Sequence, residues 1–440
     1  MPSDRRAILL ALIALAVAAP AAALRVLCVG RACPNESPAA APVPFCSLPV
    51  ETRELLAAGF RDGRGPHVMA VTGDTPIVGS DASGMPPVAW PAADPDDAGR
   101  VPLLFAGAGV APGAEVADQT TLDAVAPTVA ELIRLDRLHP GVRSGEPIEG
   151  VAAGPTPRLV VLVVWKGIGT RDLEQSQSAW PNLRRLLRDG AGTISARVGS
   201  LPLDPAAAEA TIGTGGVPSD HGITGALVRN DRGEVVTAWG PGTPFSVIAT
   251  LGDDLDELND QGPRIGLIGT EAWDRGLIGG TWYLENDRDD VILERRPGRQ
   301  VAAAAELVAS GYGADDVPDL LAVAMAGPVD RLDQALGEVT RLVGIGQGGR
   351  AAIVVTATGS ADASGALEAD EALAELRSEL GPVVEAAAIG GVFLDTEAMA
   401  AAGLTGDRVV QAARRLRSPG GGSLFADVFP QIAVTFARYC

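Results

Sequence analysis

Three features of this 440-residue sequence predict an α/β fold with a mostly parallel central sheet and helices on both faces. Runs of β-formers alternate with helical stretches along most of the chain, the rhythm of βα units. The run VVLVVW at 160–165 is continuously apolar, as a strand buried on both faces must be. Composition is that of a globular protein, 47% hydrophobic and 20% charged, with aromatics at only 4%. The core therefore rests on Val, Leu, Ile and Ala.

A Pro/Ala-rich stretch with three cysteines, 24–50, is expected to be irregular, and a helix follows at 50–60. HVMAVTG (67–73) reads as a strand, 74–99 as a Pro/Gly/Asp loop, and VPLLFAG (101–107) as a strand. TTLDAVAPTVAELIRL (120–135) is helical, with Pro127 in its first turn or at a kink. After a second Pro/Gly passage, 139–157, comes the strand ending in Lys166. WPNLRRLLRDGA (180–191) is an amphipathic helix closed by Gly190. The segment 204–216 starts a helix with Asp204 as N-cap and Pro205 at N1. PFSVIATLGDDLDEL (244–258) reads as a helix, RIGLIGT (264–270) as a strand and RQVAAAAELVASG (299–311) as a helix. PDLLAVAMAG (318–327) and AAIVVTATGS (351–360) read as strands around a helix at 331–344. A helix at 366–380 and short strands near 388–395 and 430–437 complete the chain.

The net charge of −20 and pI near 4.6 argue against nucleic acid or an anionic membrane as partner. Arg5-Arg6, an apolar run from Ala7 to Ala19, and Pro20 before Ala21-Ala22-Ala23 make a secretory signal peptide over 1–23. An uncleaved anchor is the rival reading, and Leu27 is too large for a lipoprotein cut before Cys28. No other segment is apolar enough to span a bilayer, so the chain is expected to be secreted or in the extracytoplasmic envelope. Residues 24–440 are expected to form one domain. Cys28, Cys33, Cys46 and Cys440 give an even count in an exported chain, hence two disulfides. Each of the three possible pairings joins one N-terminal cysteine to Cys440.

The block 158–225, RLVVLVVWKGIG…WPNLRRLLRDGA…DPAAAEATIGTGGVPSDHGITG, resembles the alkaline phosphatase-like superfamily, in particular its nucleotide pyrophosphatase/phosphodiesterase branch. The most specific part is TG-x-x-P-x-x-HGI at 214–223. The strands at 318–327 and 351–360 resemble two later family strands. The family's C-terminal portion is similar to residues 67–150, which here come first, while 158–437 match its N-terminal and central portion. The resemblance thus implies a circular permutation, and a Cys440 staple would cross the new break.

The family uses two divalent metals, usually zinc, held by Asp and His, to activate a nucleophile. Carried over position by position, the strand-one Asp becomes Lys166, the only lysine in the chain. The nucleophile falls at Pro205 or Asp204, and the Asp…His pair near Asp330 and Gln334. The Asp-His of a later strand falls at Thr358-Gly359, and the last His, in loop 79–99, has no counterpart. The three histidines, His67, His139 and His221, lack ligand-like spacing and read as structural. No zinc or other metal cofactor is expected. Lys166 is expected either to pair with Asp204 or Asp330 or to snorkel into solvent. A desolvated lysine of lowered pKa near Ser200, Thr211 and Thr214 is a third reading. Gly-rich GTGG (213–216) and GIGQGG (344–349) read as turns.

These residues together imply a non-catalytic relative of the family that binds an unknown protein or small molecule at the cell envelope. The alternatives are a phosphoester hydrolase with an atypical site and a Lys166-dependent, metal-free enzyme.

Overall fold

The strand LVVLVVWK is buried throughout, at every residue from Leu159 to Lys166. The computed structural model describes residues 45–440 apart from 73–76, 79–98, 241–245, 261, 281, 284–288, 347, 361–366, 389, 418–420 and 423. The signal segment, Cys28, Cys33 and most of loop 74–99 therefore lie outside the described residues.

In chain order, the strands of the two larger sheets are β1 (Val68–Thr72), β2 (Arg100–Gly107), β3 (Leu159–Lys166) and β4 (Ala191–Arg197). They continue with β5 (Ile265–Gly269), β6 (Asp290–Leu293), β7 (Asp319–Ala326) and β8 (Ala351–Ala357). The last are β9 (Val384–Ala388), β10 (Gly391–Leu394) and β11 (Phe425–Pro430). The main sheet has seven strands in the order β4-β2-β8-β3-β7-β5-β6. Strands β8, β3, β7, β5 and β6 are mutually parallel, and β2 runs antiparallel to both neighbours. The prediction of a mostly parallel sheet thus holds. Register places Ala326 opposite Lys166 and Ala357 opposite Trp165, so these strands end level with one another.

The strand predicted at 67–73 is present as β1, in a separate antiparallel sheet, β9-β10-β1-β11. That sheet packs Val68, Val392 and Val428 against helices Ala369–Leu380 and Gly406–Arg415 in its own apolar cluster. The strand expected at 430–437 is instead β11 ending at Pro430 followed by helix Gln431–Thr435, because Pro430 serves as that helix's N-cap. The helix expected from 244 begins only at Leu251: Thr250 accepts from Asp253 N (3.2 Å) while Asp253 accepts from Thr250 N (2.7 Å), a reciprocal cap that sets the start. The helix at 120–135 is a 3₁₀ turn, Leu122–Ala124, running into Val125–Ile133, with Pro127 in the first α turn.

Cys46 and Cys440 form a disulfide with Cα atoms 5.1 Å apart, closing a sequence separation of 394 residues. Among the described residues, no helix is long and apolar enough to cross a membrane.

Candidate functional site

Ligand sites in open parallel sheets form beyond the carboxyl ends of the strands. Lys166 ends β3, Thr270 follows β5, and Thr358 follows β8. Helix Pro205–Thr214 adds Asp204 and Glu209, and all ten of its residues are buried. Such a helix must satisfy its polar ends inside the protein. At its N-terminus, Asp204 accepts from Ala206 N (2.9 Å) and from Ala226 N (3.1 Å). At its C-terminus, Arg137 Nη1 and Arg143 Nε donate to Thr214 O (2.8 and 3.1 Å). Both arginines also contact the buried Asp254, which in addition accepts from Tyr283. Burial pushes Arg137 down to about 10 against the pull of Asp254.

The GTGG glycines have two separate roles. A Cβ on Gly213 would stand 2.1 Å from Gly276 O, so only glycine lets the helix meet the 3₁₀ turn Ala272–Leu277. Gly215 takes φ +79° as the C-cap. Gly344, Gly346 and Gly348 also adopt positive φ.

That 3₁₀ turn supplies the partner of Lys166. The ammonium donates to Asp274 Oδ1 (2.5 Å) and to Thr270 Oγ1 (2.8 Å), with Glu209 Oε1 at 3.8 Å and the Trp273 ring centroid at 5.5 Å. Lys166 therefore neither snorkels nor pairs with Asp204 or Asp330. Its side chain is 1% exposed and its counter-ion is Asp274. The physical reason is local: Asp204 is held by backbone N–H groups, and Asp330 is exposed on the first turn of helix Val329–Leu342. Asp274 Oδ2 accepts from Thr270 N (2.6 Å), Glu271 N (3.1 Å) and the Thr270 hydroxyl (3.1 Å).

Among the described residues no N–H or hydroxyl donor meets either Glu209 carboxyl oxygen, and Asp274 is its side-chain hydrogen-bonding neighbour. Burial, and then Asp274 beside it, push it well above the usual carboxyl range, which favours its protonated form. Burial by itself lowers Lys166, but the adjacent carboxyl groups outweigh it and the net shift is upward. A lysine held protonated is the opposite of an activated nucleophile at rest. Thr211 and Thr214 are engaged elsewhere, on His221 and on Ala210 O.

Thr358 Oγ1 accepts from Gly167 N (2.9 Å), tying the β8 end to the loop after Lys166. His221 accepts from Ile223 N on Nδ1, so its Nε2–H donates to Thr211 (both 3.1 Å). Burial, with Arg61 nearby, lowers His221 to about 3, and the neutral ring fastens the HGI turn to the helix. His67 Nδ1 accepts from Leu394 N in the second sheet. His139 sits at φ +50° ahead of a proline.

The sequence reading missed Glu209, Thr270, Asp274, Asp254, Arg137 and Arg143. A usable signal existed for Asp274: Glu271-x-x-Asp274 directly after a strand is a capping pattern at the carboxyl end of the sheet.

Asp204 yields a pH prediction. Burial raises it to about 6 although the backbone N–H groups favour the anion. The folded state therefore holds this proton more tightly than the unfolded chain. Its contribution is fully present below the ordinary Asp value and is lost as pH rises through about 6, a change of about 3 kcal/mol. Asp204→Asn keeps a capping oxygen and should flatten stability against pH between about 4 and 6. Urea midpoints across that range test it, and an unchanged slope rules it out.

Neither a protein-family model nor a curated protein sequence matches this chain. Among solved structures it is similar to wild-type alkaline phosphatase PafA, at 15% identity over 59% of this chain and 76% of that one, TM-score 0.43. It is also similar to phosphonoacetate hydrolase from Sinorhizobium meliloti 1021 in complex with phosphonoacetate, at 17% identity over 61% and 76%, TM-score 0.38.

Proposed function

We propose that this chain is a non-catalytic, exported protein of alkaline phosphatase-like type, with its segments in permuted order, which binds a ligand or partner at the cell envelope. One observation carries the loss of catalysis: the strand-end position that the family resemblance assigns to a metal-binding Asp holds a buried ammonium already matched to Asp274. The other positions support the same reading. Asp204 is committed to backbone N–H groups, Thr358 to Gly167 N, and Asp330 points away from burial at the surface. An ammonium, a capped carboxyl and a hydroxyl do not fit a pair of divalent metals, which need several free carboxylates and imidazoles. No hydrolytic step is therefore routed through metal here.

Purified protein should hydrolyse neither p-nitrophenyl phosphate nor bis-p-nitrophenyl phosphate above blank, with or without added zinc, and should carry no stoichiometric metal. Robust turnover, or about one or two zinc ions per chain, would overturn the reading.

A further inference from the structure

The cluster around Lys166 has the components of an amide-forming site. Nζ lies 2.5 Å from Asp274 Oδ1, and the two side chains are 1% and 0% exposed. The other oxygen of the same carboxyl, Oδ2, is surrounded by Thr270 N, Glu271 N and the Thr270 hydroxyl. Donors converging on one oxygen of an acyl carbon are what stabilise an oxyanion when a nucleophile adds. Glu209 stands beside both groups, 3.8 Å from Nζ, fully buried and within side-chain hydrogen-bond reach of Asp274. In its protonated form a carboxylic acid there can both donate and accept a proton.

The geometry points to an intramolecular amide bond between Lys166 Nζ and Asp274 Cγ, formed after folding, with Glu209 as the proton carrier. It would link the end of β3 to the turn after β5 across 108 residues.

The step balances without any co-reactant. Inside a low-dielectric site the ammonium–carboxylate pair can exchange a proton to give amine and carboxylic acid. The Nζ lone pair attacks Cγ, the C–N bond forms, and the C–Oδ2 π electrons move onto Oδ2 among its three donors. Glu209 gives its proton to the Oδ1 hydroxyl and takes one from the nitrogen. The C–Oδ1 bond breaks, Oδ1 leaves as water, the carbonyl re-forms at Oδ2, and Glu209 ends as it began. Of the three ammonium protons, one remains on the amide and two balance the water. Fixing amine and acyl carbon in contact supplies the effective concentration that amidation in water lacks. Because the neighbouring carboxyl groups favour the ammonium, the amine is a minor form, and the reaction is slow compared with folding.

This inference stands whether or not the chain hydrolyses phosphoesters. Intact mass spectrometry of the full chain, reduced and denatured, should find the protein lighter than its sequence mass by one water. A tryptic digest should yield one branched peptide joining residues 159–171, uncut at Lys166, to residues 265–275. Lys166→Arg should return the full mass, and so should Glu209→Ala in protein whose circular dichroism matches wild type. A wild-type chain of full mass overturns the bond. So does a water loss confined to a linear peptide, such as a succinimide at Asp62-Gly63 or Asp189-Gly190. A folded Glu209→Ala protein that still carries the branched peptide overturns the role given to Glu209.

Discussion

Removing the terminal disulfide with the double change Cys46→Ser/Cys440→Ser should destabilise the protein by about 5 kcal/mol, at the upper end of what disulfides contribute. The size follows from the loop: a separation of 394 residues lets the uncrosslinked unfolded chain gain nearly the whole entropy of an open polymer. Native contacts at the junction survive the substitution. Phe45 packs edge-to-face on Phe429 at 5.2 Å, and neither ring depends on the sulfur bridge. The loss should therefore appear as a lower guanidinium midpoint with an unchanged folded-state spectrum. Reductant added to the wild type should reproduce it. A midpoint change equivalent to less than about 1 kcal/mol would mean that the ends are held by packing alone.

Lys166→Met should cost about 3–5 kcal/mol, counted from the ion pair alone, because it strands a carboxyl group of the fully buried Asp274 without its cation. Methionine fills much of the lysine stem's volume, so cavity formation is a minor part of the effect. Lys166→Met combined with Asp274→Asn should recover at least about 1 kcal/mol relative to the sum of the single changes, since the pair then leaves together. Strict additivity in that cycle, measured by urea unfolding, would show that the two groups do not interact in solution. Glu209 sharpens the comparison. It stands farther from the ammonium than Asp274 does, 3.8 Å against 2.5 Å, so Glu209→Gln should cost less than Lys166→Met.

Legibility in the sequence followed the strength of local pattern. Strands β2, β3, β5, β7 and β8 were visible to within a few residues because their continuous apolar runs have no other stable environment. Strand β4 was not expected, since AGTISAR is only partly buried and lacks a clear period. Strand β6 has four residues with three of them exposed, too few to register as a pattern. The boundary at Pro430 was misread because an apolar stretch of that length suits a short strand or a short helix equally.

For the site, the residues by themselves established that one lysine ends a buried strand and that Asp204 caps a buried helix. An even cysteine count in a chain read as exported also predicted a disulfide between Cys440 and one of the three N-terminal cysteines, and the structure has it at Cys46. Each of these depends on a single run, a capping pattern or an even count. Only the tertiary structure decided which acid meets Lys166. Sheet order places β7 between β3 and β5, and the turn after β5 brings Asp274 to the ammonium from 108 residues away. The glycine contact between Gly213 and Gly276 O brings Glu209's helix against the same turn. Pairings of that range are set by the stacking of whole elements, and no local periodicity encodes them.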